Sequence, residues 1–477
     1  MGSRKVTSSE PLDWQGKHVT VAGLGVSGIP AAKVLHARGA HVTVVNDGDD
    51  ARAREQAAEL EALGITVRLG DGATLPEGTD LIVTAPGWKP DKPLFEAARA
   101  AGVEIWGDVE LAWRLRGPDA APWLAITGTN GKTTTTQMLA SILKAAGLRT
   151  AAVGNIGVSV LDAVLGEEQY DVLAVELSSY QLHWAPSLRA HSAAVLNLAP
   201  DHLDWHGSME AYARDKGRIY EGNRIACVYN VADKATEDLV READVEEGCR
   251  AIGFTLGSPG PSQLGLVDGI LVDRAFVENR QKNAQELAEI SDVNPPAPHN
   301  VANALAAAAL ARAFGVPPKA VRDGLRAFTP DAHRIAHVAD VDGVAYVDDS
   351  KATNTHAAEA SLAAYESIVW IAGGLAKGAS FEELVAKSAK RLRGVVLIGA
   401  DRALIREALA RHAPEVPVVD LDRTDTGAML QAVTEAKRLA QPGDTVLLAP
   451  ACASMDMFTN YNKRGDAFAE AVRELGS

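Results

Sequence analysis

The sequence predicts an α/β protein of three domains: a Rossmann-like domain, a central phosphate-loop ATPase-like domain with a mostly parallel sheet, and a second Rossmann-like domain. Three observations predict it. The chain has 477 residues, and domains of ~150 residues make about three of them. Strand, glycine-bearing turn and helix follow one another twice, at His18–Arg38 and Leu124–Ala146, an order suited to binding phosphate at a helix N-terminus. From Val344 onward, short apolar runs alternate with helical patterns, as in a further parallel sheet. The expected domains are residues 1–117, 118–331 and 332–477.

Composition narrows the function. Hydrophobic residues make up 47% of the chain, enough for sizeable cores, and the formal net charge is −15. Nucleic acid and anionic membrane surfaces call for basic patches, so neither is an expected partner. A soluble cytosolic enzyme fits, and an anionic substrate stays open because a few local cations suffice. Cys227, Cys249 and Cys452 are widely spaced and give neither a disulfide framework nor a zinc motif. Met1-Gly2-Ser3-Arg4-Lys5 is followed by polar residues, so no signal peptide is read. No apolar run reaches the ~18 residues of a membrane span; Ala302–Ala313 reads as a buried helix.

In the first domain, His18–Ala22 is a strand and Gly23-Leu24-Gly25-Val26-Ser27-Gly28 a GxGxxG turn. A helix over Ile29–Arg38, ended by Gly39, and a strand over His41–Val45 complete a βαβ unit. Asn46 and Asp47 stand at its end, about 20 positions on, where an acidic residue meets a ribose hydroxyl in dinucleotide folds. The motif favours a phosphate-bearing ligand without saying which. Further strands are expected at Ile65–Arg68 and Asp80–Thr84, the latter running into Ala85-Pro86-Gly87.

Gly117–Pro122 reads as a linker. The strand Leu124–Thr127 then enters Gly128-Thr129-Asn130-Gly131-Lys132-Thr133-Thr134 and a helix from about Thr134 to Ala146. Glycines let backbone N–H groups close around phosphates, Lys132 reaches the β- and γ-phosphates, and the Thr133 hydroxyl suits Mg2+. The general pattern places a glycine at the position of Ile126; here the first is Gly128. Asp171–Glu176 is a strand ending in a carboxylate that could ligate Mg2+ directly or through water. Ala193–Leu198 is another, followed by Pro200-Asp201-His202-Leu203-Asp204-Trp205-His206, dense in possible ligands. Glu210–Tyr220 is a charged helix carrying Lys216. From Val231 to Pro298 the chain reads as acidic, loop-rich surface elaboration without chemistry. Asn300 and Asn303 then share one face of a helix.

Phe328–Asp331 reads as the second boundary. In the third domain, strands are expected at Val344–Val347, Ile368–Ala372, Val395–Ile398, Val416–Val419 and Thr445–Ala449, with a last helix from Asp466. Three strand ends carry Asp348–Asn354, Gly373–Gly378 and Pro450–Asp456. Asp, Ser, Lys and Thr together at such edges mark a site.

Taken together, Gly128–Thr134, Glu176-Leu177-Ser178-Ser179, Asp201-His202-Leu203-Asp204, His299-Asn300-Val301-Ala302-Asn303-Ala304, His333-Arg334 and Asp349-Ser350-Lys351-Ala352-Thr353-Asn354 resemble the Mur ligase family over essentially the whole chain. The short phosphate loop matches that family's form, and Pro450-Ala451-Cys452-Ala453-Ser454 is similar to its D-glutamate-adding branch. Pro200, Ala449 and Ala336 depart from common family residues.

The resemblance implies ATP-dependent ligation of D-glutamate to UDP-N-acetylmuramoyl-L-alanine, a cytoplasmic step of peptidoglycan precursor synthesis carried out by a monomer. It implies ATP, two Mg2+ sites and a carbamate on Lys216. Gly128, Thr129, Asn130, Gly131, Lys132, Thr133, Thr134, Asn300, Asn303, Arg334 and Asp349 would bind ATP. Thr133, Glu176, His202 and Lys216 would hold metal, and Lys132, Glu176, His202 and Lys216 would carry catalysis. Ser27, Gly28, Asn46, Asp47 and Asn155 would bind the UDP substrate, with Asn46 and Asp47 open as alternatives. Lys351, Thr353, Lys377, Ser454, Met455 and Tyr461 would bind D-glutamate; the family aligns phenylalanine at Tyr461. A dehydrogenase using NAD at Gly23–Gly28 would leave the Gly-Lys-Thr loop without a task.

Overall fold

The computed structural model describes residues 12–475; the stretch Met1–Lys5, read for targeting, lies outside them. The chain forms two compact units. The first runs to Val293 and includes Val301–Phe328; the second takes Asn294–Asn300 and continues from Thr329.

The first unit holds two sheets. Strands β1 (His18–Ala22), β2 (His41–Asn46), β3 (Thr66–Leu69), β4 (Leu81–Thr84) and β5 (Glu104–Gly107) pair in parallel in the order β3-β2-β1-β4-β5. Val19, Val21, Val44 and Val83 are fully buried, as expected where helices cover both faces of a parallel sheet. Gly28 opens the first helix, Gly28–Ala37. A β-carbon there would lie 1.9 Å from the Gly23 carbonyl oxygen, so only glycine lets the helix pack this close to the turn.

The second sheet joins β6 (Trp123–Thr127), β7 (Ala152–Gly154), β8 (Leu173–Glu176), β9 (Ser192–Val195), β10 (Ala226–Asn230), β11 (Arg250–Phe254), β12 (Gln263–Val267), β13 (Ile270–Asp273) and β14 (Gln285–Glu289) in the order β14-β13-β12-β11-β10-β9-β6-β8-β7. The central strand β6 is buried at every residue. The helix Pro298–Ala313 packs against this sheet, with every residue from Ala304 to Ala311 fully buried; its alanines bring it close at little cost in side-chain entropy.

Residues 231–298 depart from the sequence expectation. They are not loop-rich elaboration: β11 to β14 extend the sheet, and Phe254, Leu264, Leu271 and Leu287 enter its core. β12 and β13 form a hairpin through Asp268 (φ 49°) and Gly269 (φ 79°); two left-handed residues are what a type I′ turn requires. The edge strand β14 buries only Leu287 and Ala288 between exposed Gln285, Glu286 and Glu289, which hid it among acidic side chains. Cys227 and Cys249, far apart in sequence, meet here as free thiols with Sγ atoms 3.8 Å apart.

The second unit holds β15 (Ala336–Val341), β16 (Val344–Asp348), β17 (Ile368–Gly373), β18 (Leu392–Ile398), β19 (Val418–Asp420) and β20 (Thr445–Leu448), ordered β15-β16-β20-β17-β18-β19. Only β15 is antiparallel, joined to β16 through Asp342 (φ 53°) and Gly343 (φ 79°). The three strands whose ends carry the polar clusters, β16, β20 and β17, are neighbours. The last helix begins at Tyr461, five residues before the expected Asp466. Among the described residues no helix is long and apolar enough to cross a membrane.

Candidate active site

The phosphate loop follows the central strand β6. Gly128 (φ 155°) and Gly131 (φ 82°) turn the chain, and the helix Lys132–Ala145 starts directly behind it. A β-carbon on Gly131 would meet Asn303 Oδ1 at 2.5 Å, so glycine is needed for both angle and space. Asn197, at the end of the neighbouring strand, clamps the loop: its Oδ1 accepts from Asn130 N at 2.8 Å and its Nδ2 donates to Asn130 O at 3.1 Å. The Thr129 hydroxyl accepts from Ala199 N at 3.0 Å and lies 2.9 Å from Tyr212 Oη. Thr129 and Asn130 thus shape the loop through their own bonds. Thr134 is buried, and Thr133 stands partly exposed on the first helical turn with Lys132.

Two lysines reach this loop. Lys132 Nζ donates to the carbonyls of Gly128 and Thr129 at 3.0 and 2.9 Å. Lys216 Nζ, from the helix Met209–Gly217, donates to Gly128 O at 2.8 Å and Thr127 Oγ1 at 3.3 Å. Lys216 is 2% exposed. Burial, with the charge of Lys132 added, pulls its pKa well below the ordinary lysine value; Asp201 and Glu176 oppose this only in part. A solvated lysine on a charged helix face is therefore ruled out: Lys216 points inward. Tyr212, four residues earlier on the same face, lies under it with Nζ 4.8 Å from the ring centroid.

Glu176 ends β8 beside the loop and is 1% exposed. Its Oε1 accepts from Asn155 Nδ2 at 2.9 Å, while its Oε2 is buried with no hydrogen-bond partner. A buried, half-satisfied carboxylate is costly unless a cation or donor completes it. That observation fits Mg2+. No group of three or more His, Cys, Asp or Glu side chains is gathered for a metal among the described residues. A magnesium held by one carboxylate, hydroxyls and substrate phosphates suits such a place.

His202 takes a left-handed backbone (φ 54°) and packs its ring on Tyr180, centroids 4.9 Å apart. Burial lowers its pKa; Asp201 opposes this, while Lys132, Lys216 and His206 add to it. A neutral imidazole is the form that can ligate a metal. Behind it, Asp215 accepts from His183 Nδ1 and His206 Nδ1, each at 2.9 Å, and His206 Nε2 lies 2.9 Å from Ser179 Oγ. This network ties the helix carrying Lys216 to the turn after Glu176.

At the first sheet, Ser27 Oγ donates to Asp108 Oδ2 at 2.8 Å. Asn46 and Asp47 both stand at the end of β2, with different partners. Asn46 accepts from Leu24 N at 3.1 Å and donates to Gly48 O at 2.9 Å, whereas Asp47 pairs with Lys92.

In the second unit, Lys351 Nζ sits 4.0 Å from the Tyr461 ring centroid. Leu375 and Ala453 exchange two backbone bonds of 2.9 Å, joining the loops that carry Lys377 and Ser454. Lys377 is left-handed (φ 50°), Ser454 is buried and Met455 is 61% exposed. Thr353 N bonds back to Lys351 O at 2.8 Å, shaping that turn. Asp349 is buried and accepts from Ile335 N at 3.3 Å and from Ser361 Oγ; burial, eased by those bonds, moves its pKa up to about 6. Arg334 Nε lies 3.9 Å from Asp331. Asn300 Nδ2 donates to Pro295 O at 3.3 Å.

The sequence reading missed several residues that shape these sites. Arg464, 1% exposed, donates to Ser350 Oγ, Ser350 O and Cys452 O at 3.0, 2.9 and 3.1 Å, binding two of the site loops. Asp108, Asn197 and Tyr212 were also missed. Asp108 and Asn197 carry the same signal as Glu176, a polar residue at the carboxyl end of a parallel strand. Tyr212 is marked by its spacing of four from Lys216.

Comparison with known proteins agrees with this geometry. The Mur ligase MurD-like N-terminal domain matches residues 17–107, the Mur ligase middle domain residues 126–311, and the Mur ligase glutamate ligase domain residues 333–452. The UDP-N-acetylmuramoylalanine–D-glutamate ligase of Streptomyces coelicolor is 87% identical over 98% of this chain and 100% of its own length. That of Streptomyces avermitilis is 88% identical over the same shares. Among solved structures, UDP-N-acetylmuramate-alanine ligase MurC from Thermotoga maritima shares the fold, with TM-score 0.56 and 20% identity over 96% of this chain and 99% of its own.

Proposed function

This chain belongs to the Mur ligase family, and we propose that it joins D-glutamate to UDP-N-acetylmuramoyl-L-alanine using ATP. The observation that carries the proposal is the near-full-length similarity to relatives of that name. The chemistry agrees with the site. A carboxylate is a poor electrophile. Its attack on the γ-phosphorus gives an acyl phosphate and ADP. The D-glutamate amine then adds to the acyl carbon, and the tetrahedral intermediate expels phosphate, leaving an amide and releasing a proton. Negative groups must approach one another, so cations and positioning dominate.

In this mechanism Lys132 and the backbone of Gly128–Thr134 bind the phosphates. Thr133 and Glu176 would hold one Mg2+, and His202 and Lys216 a second; bound there, the metal would supply positive charge against the phosphates. Asn300, Asn303, Arg334 and Asp349 hold the rest of the nucleotide. Asn155, bonded to Glu176, contacts the muramoyl substrate. Lys351, Thr353, Lys377, Ser454, Met455 and Tyr461 receive D-glutamate. Residues 1–117 serve the UDP substrate, 118–331 ATP and 332–477 the amino acid, within a cytoplasmic monomer.

Lys216 carries a carbamate in this scheme. A neutral amine adds CO2 to give R–NH–COO− and a proton, and the depressed pKa of Lys216 supplies the neutral amine. The amine would then present two carboxylate-like oxygens, the ligands a hard cation requires.

Phosphate release, measured with UDP-N-acetylmuramoyl-L-alanine, ATP and single amino acids, tests the proposal. D-Glutamate should support turnover and L-glutamate should not, since Lys351 and Thr353 on one strand-end loop and Ser454 on another would fix both carboxylates. Comparable rates with L-glutamate overturn it.

A further inference from the structure

Cys227 and Cys249 have no part in the chemistry proposed above, yet their arrangement is specific. Cys227 lies within β10, beside Ala251 of the parallel strand β11. Cys249 stands two residues before that partner, and the two Sγ atoms are 3.8 Å apart. Their surroundings differ. Cys227 is 2% exposed and belongs to a hydrophobic core, whereas Cys249 is half-buried at its margin. Core filling alone would bury both residues alike.

The backbone differs too. Cys227 is fixed in the sheet, with strands paired on both sides. Cys249 leaves a turn: its N–H donates to Glu246 O at 3.0 Å, and Gly248 within the turn is left-handed (φ 93°). A β-carbon on Gly248 would meet nothing within 4 Å, so the turn stands clear of its neighbours. A disulfide brings its sulfurs to about 2 Å, so these two must close by roughly 2 Å. The open turn can supply that movement while the sheet holds Cys227 still. The bond from Cys227 lowers the Cys249 pKa; burial opposes, and the Arg250 backbone N–H assists. That same contact, then burial, raises the pKa of Cys227. An accessible thiol that ionises more readily, beside a buried thiol that does not, is the pairing of a peroxide-reactive cysteine with its resolving partner.

We propose that Cys227 and Cys249 form a reversible oxidation site, in which Cys249 reacts with a hydroperoxide and Cys227 resolves the product into a disulfide. The Cys249 thiolate attacks one oxygen of hydrogen peroxide. The O–O bond breaks, leaving Cys249 as a sulfenic acid, and the departing hydroxide takes up the proton the thiol gave away, as water. The Cys227 sulfur then attacks the sulfenyl sulfur. The S–O bond breaks, the S–S bond forms, and the Cys227 proton leaves with the hydroxyl as a second water. Two thiols lose two electrons and one peroxide gains them. The oxidant class follows from charge. Glu246 acts on Cys249 and Glu221 on Cys227, and Glu247 lies in the turn itself. Carboxylates disfavour an anionic oxidant and leave a small uncharged hydroperoxide free to enter.

Hydrogen peroxide at a few equivalents, applied to the full chain, tests this. The chain has three cysteines, and Cys452 is 1% exposed. Titration in denaturant should therefore find three thiols before treatment and one after it. Peptide mapping should join Cys227 to Cys249 within one chain, and dithiothreitol should restore all three thiols. Cys227→Ser should form no bridge: its Cys249 should be trapped by dimedone as the sulfenic acid, and should advance under more peroxide to the sulfinic acid, which dithiothreitol does not reverse. Cys249→Ser should leave Cys227 reduced at the same dose. Three thiols retained in treated wild type, or a bridge that omits either residue, would overturn the inference. So would Cys227 reacting in Cys249→Ser as fast as the pair does in wild type. These readouts are independent of ligase activity, so either can fail without the other.

Discussion

Lys132 and Lys216, on different helices, donate to one atom: the carbonyl oxygen of Gly128 accepts from both, at 3.0 and 2.8 Å. Two amines this close cannot both be comfortably charged in a buried place. Lys216 is the more deeply buried, and its pKa is the one driven well below normal, by burial first and Lys132 second. The proposed carbamate forms from the neutral amine that this downward shift favours.

Lys216→Ala is therefore expected to lower turnover on the order of 100-fold or more. A short carboxylate such as formate should restore part of it by supplying the missing oxygens. Wild type stripped of CO2 should slow and recover with bicarbonate. Full activity of Lys216→Ala in the phosphate-release assay would remove the carbamate from the mechanism.

Under the proposed placement of ATP, Lys132→Ala should cost on the order of 10³-fold in kcat, since the γ-phosphoryl group would lose a cation as charge redistributes. Near-native turnover would place the phosphates elsewhere.

Glu176→Gln keeps an oxygen for Asn155 Nδ2 and removes the buried charge. The Mg2+ concentration for half-maximal rate should rise by roughly 10-fold or more, and excess Mg2+ should rescue part of the rate. Thermal stability without nucleotide should hold or rise, because the unpartnered Oε2 of Glu176 is a burden on the fold. A Mg2+ dependence matching wild type would exclude Glu176 as a ligand.

His333 offers a pH test. Its Nδ1 lies 2.6 Å from Asp348 Oδ2 and its Nε2 3.4 Å from Asp466 Oδ1. The bond to Asp348 raises the His333 pKa, with burial opposing. A folded-state pKa above the unfolded value of about 6.5 means the stabilisation is complete below that pH. It is lost as pH rises through the folded pKa. The thermal midpoints of wild type and His333→Gln should therefore lie furthest apart in mild acid and converge in mild alkali. A gap that widens with pH would show that His333 is not protonated in the fold.

Much was legible from sequence because it depends on local rules. Gly128 and Gly131 marked a tight strand-to-helix turn ahead of Lys132, since glycine takes the positive-φ backbone such a turn needs. Buried parallel strands such as Trp123–Thr127 read as unbroken apolar runs, since both faces are covered. The two missed hairpins carried a local signal as well: Asp268-Gly269 and Asp342-Gly343 are both left-handed pairs, and the Asp-Gly rule applies to each. The edge strands of the two sheets, β14 and β15, carry polar residues and stand largely open to solvent, and lack the apolar run that marks a buried strand.

Other features had no local signature. Lys216 looks like a solvated residue of a charged helix until that helix packs against the loop after β6. Asn46 and Asp47 are equivalent by position in the chain, and only their partners, Leu24 and Gly48 against Lys92, separate them. Cys227 and Cys249 meet because β10 and β11 pair. Sequence by itself determined the order of elements and the kind of group that each strand end presents, because propensity and turn chemistry act over a few residues. Tertiary structure alone decided which groups lose water and which charges become neighbours, because burial and Coulomb energy depend on distance in space and not along the chain.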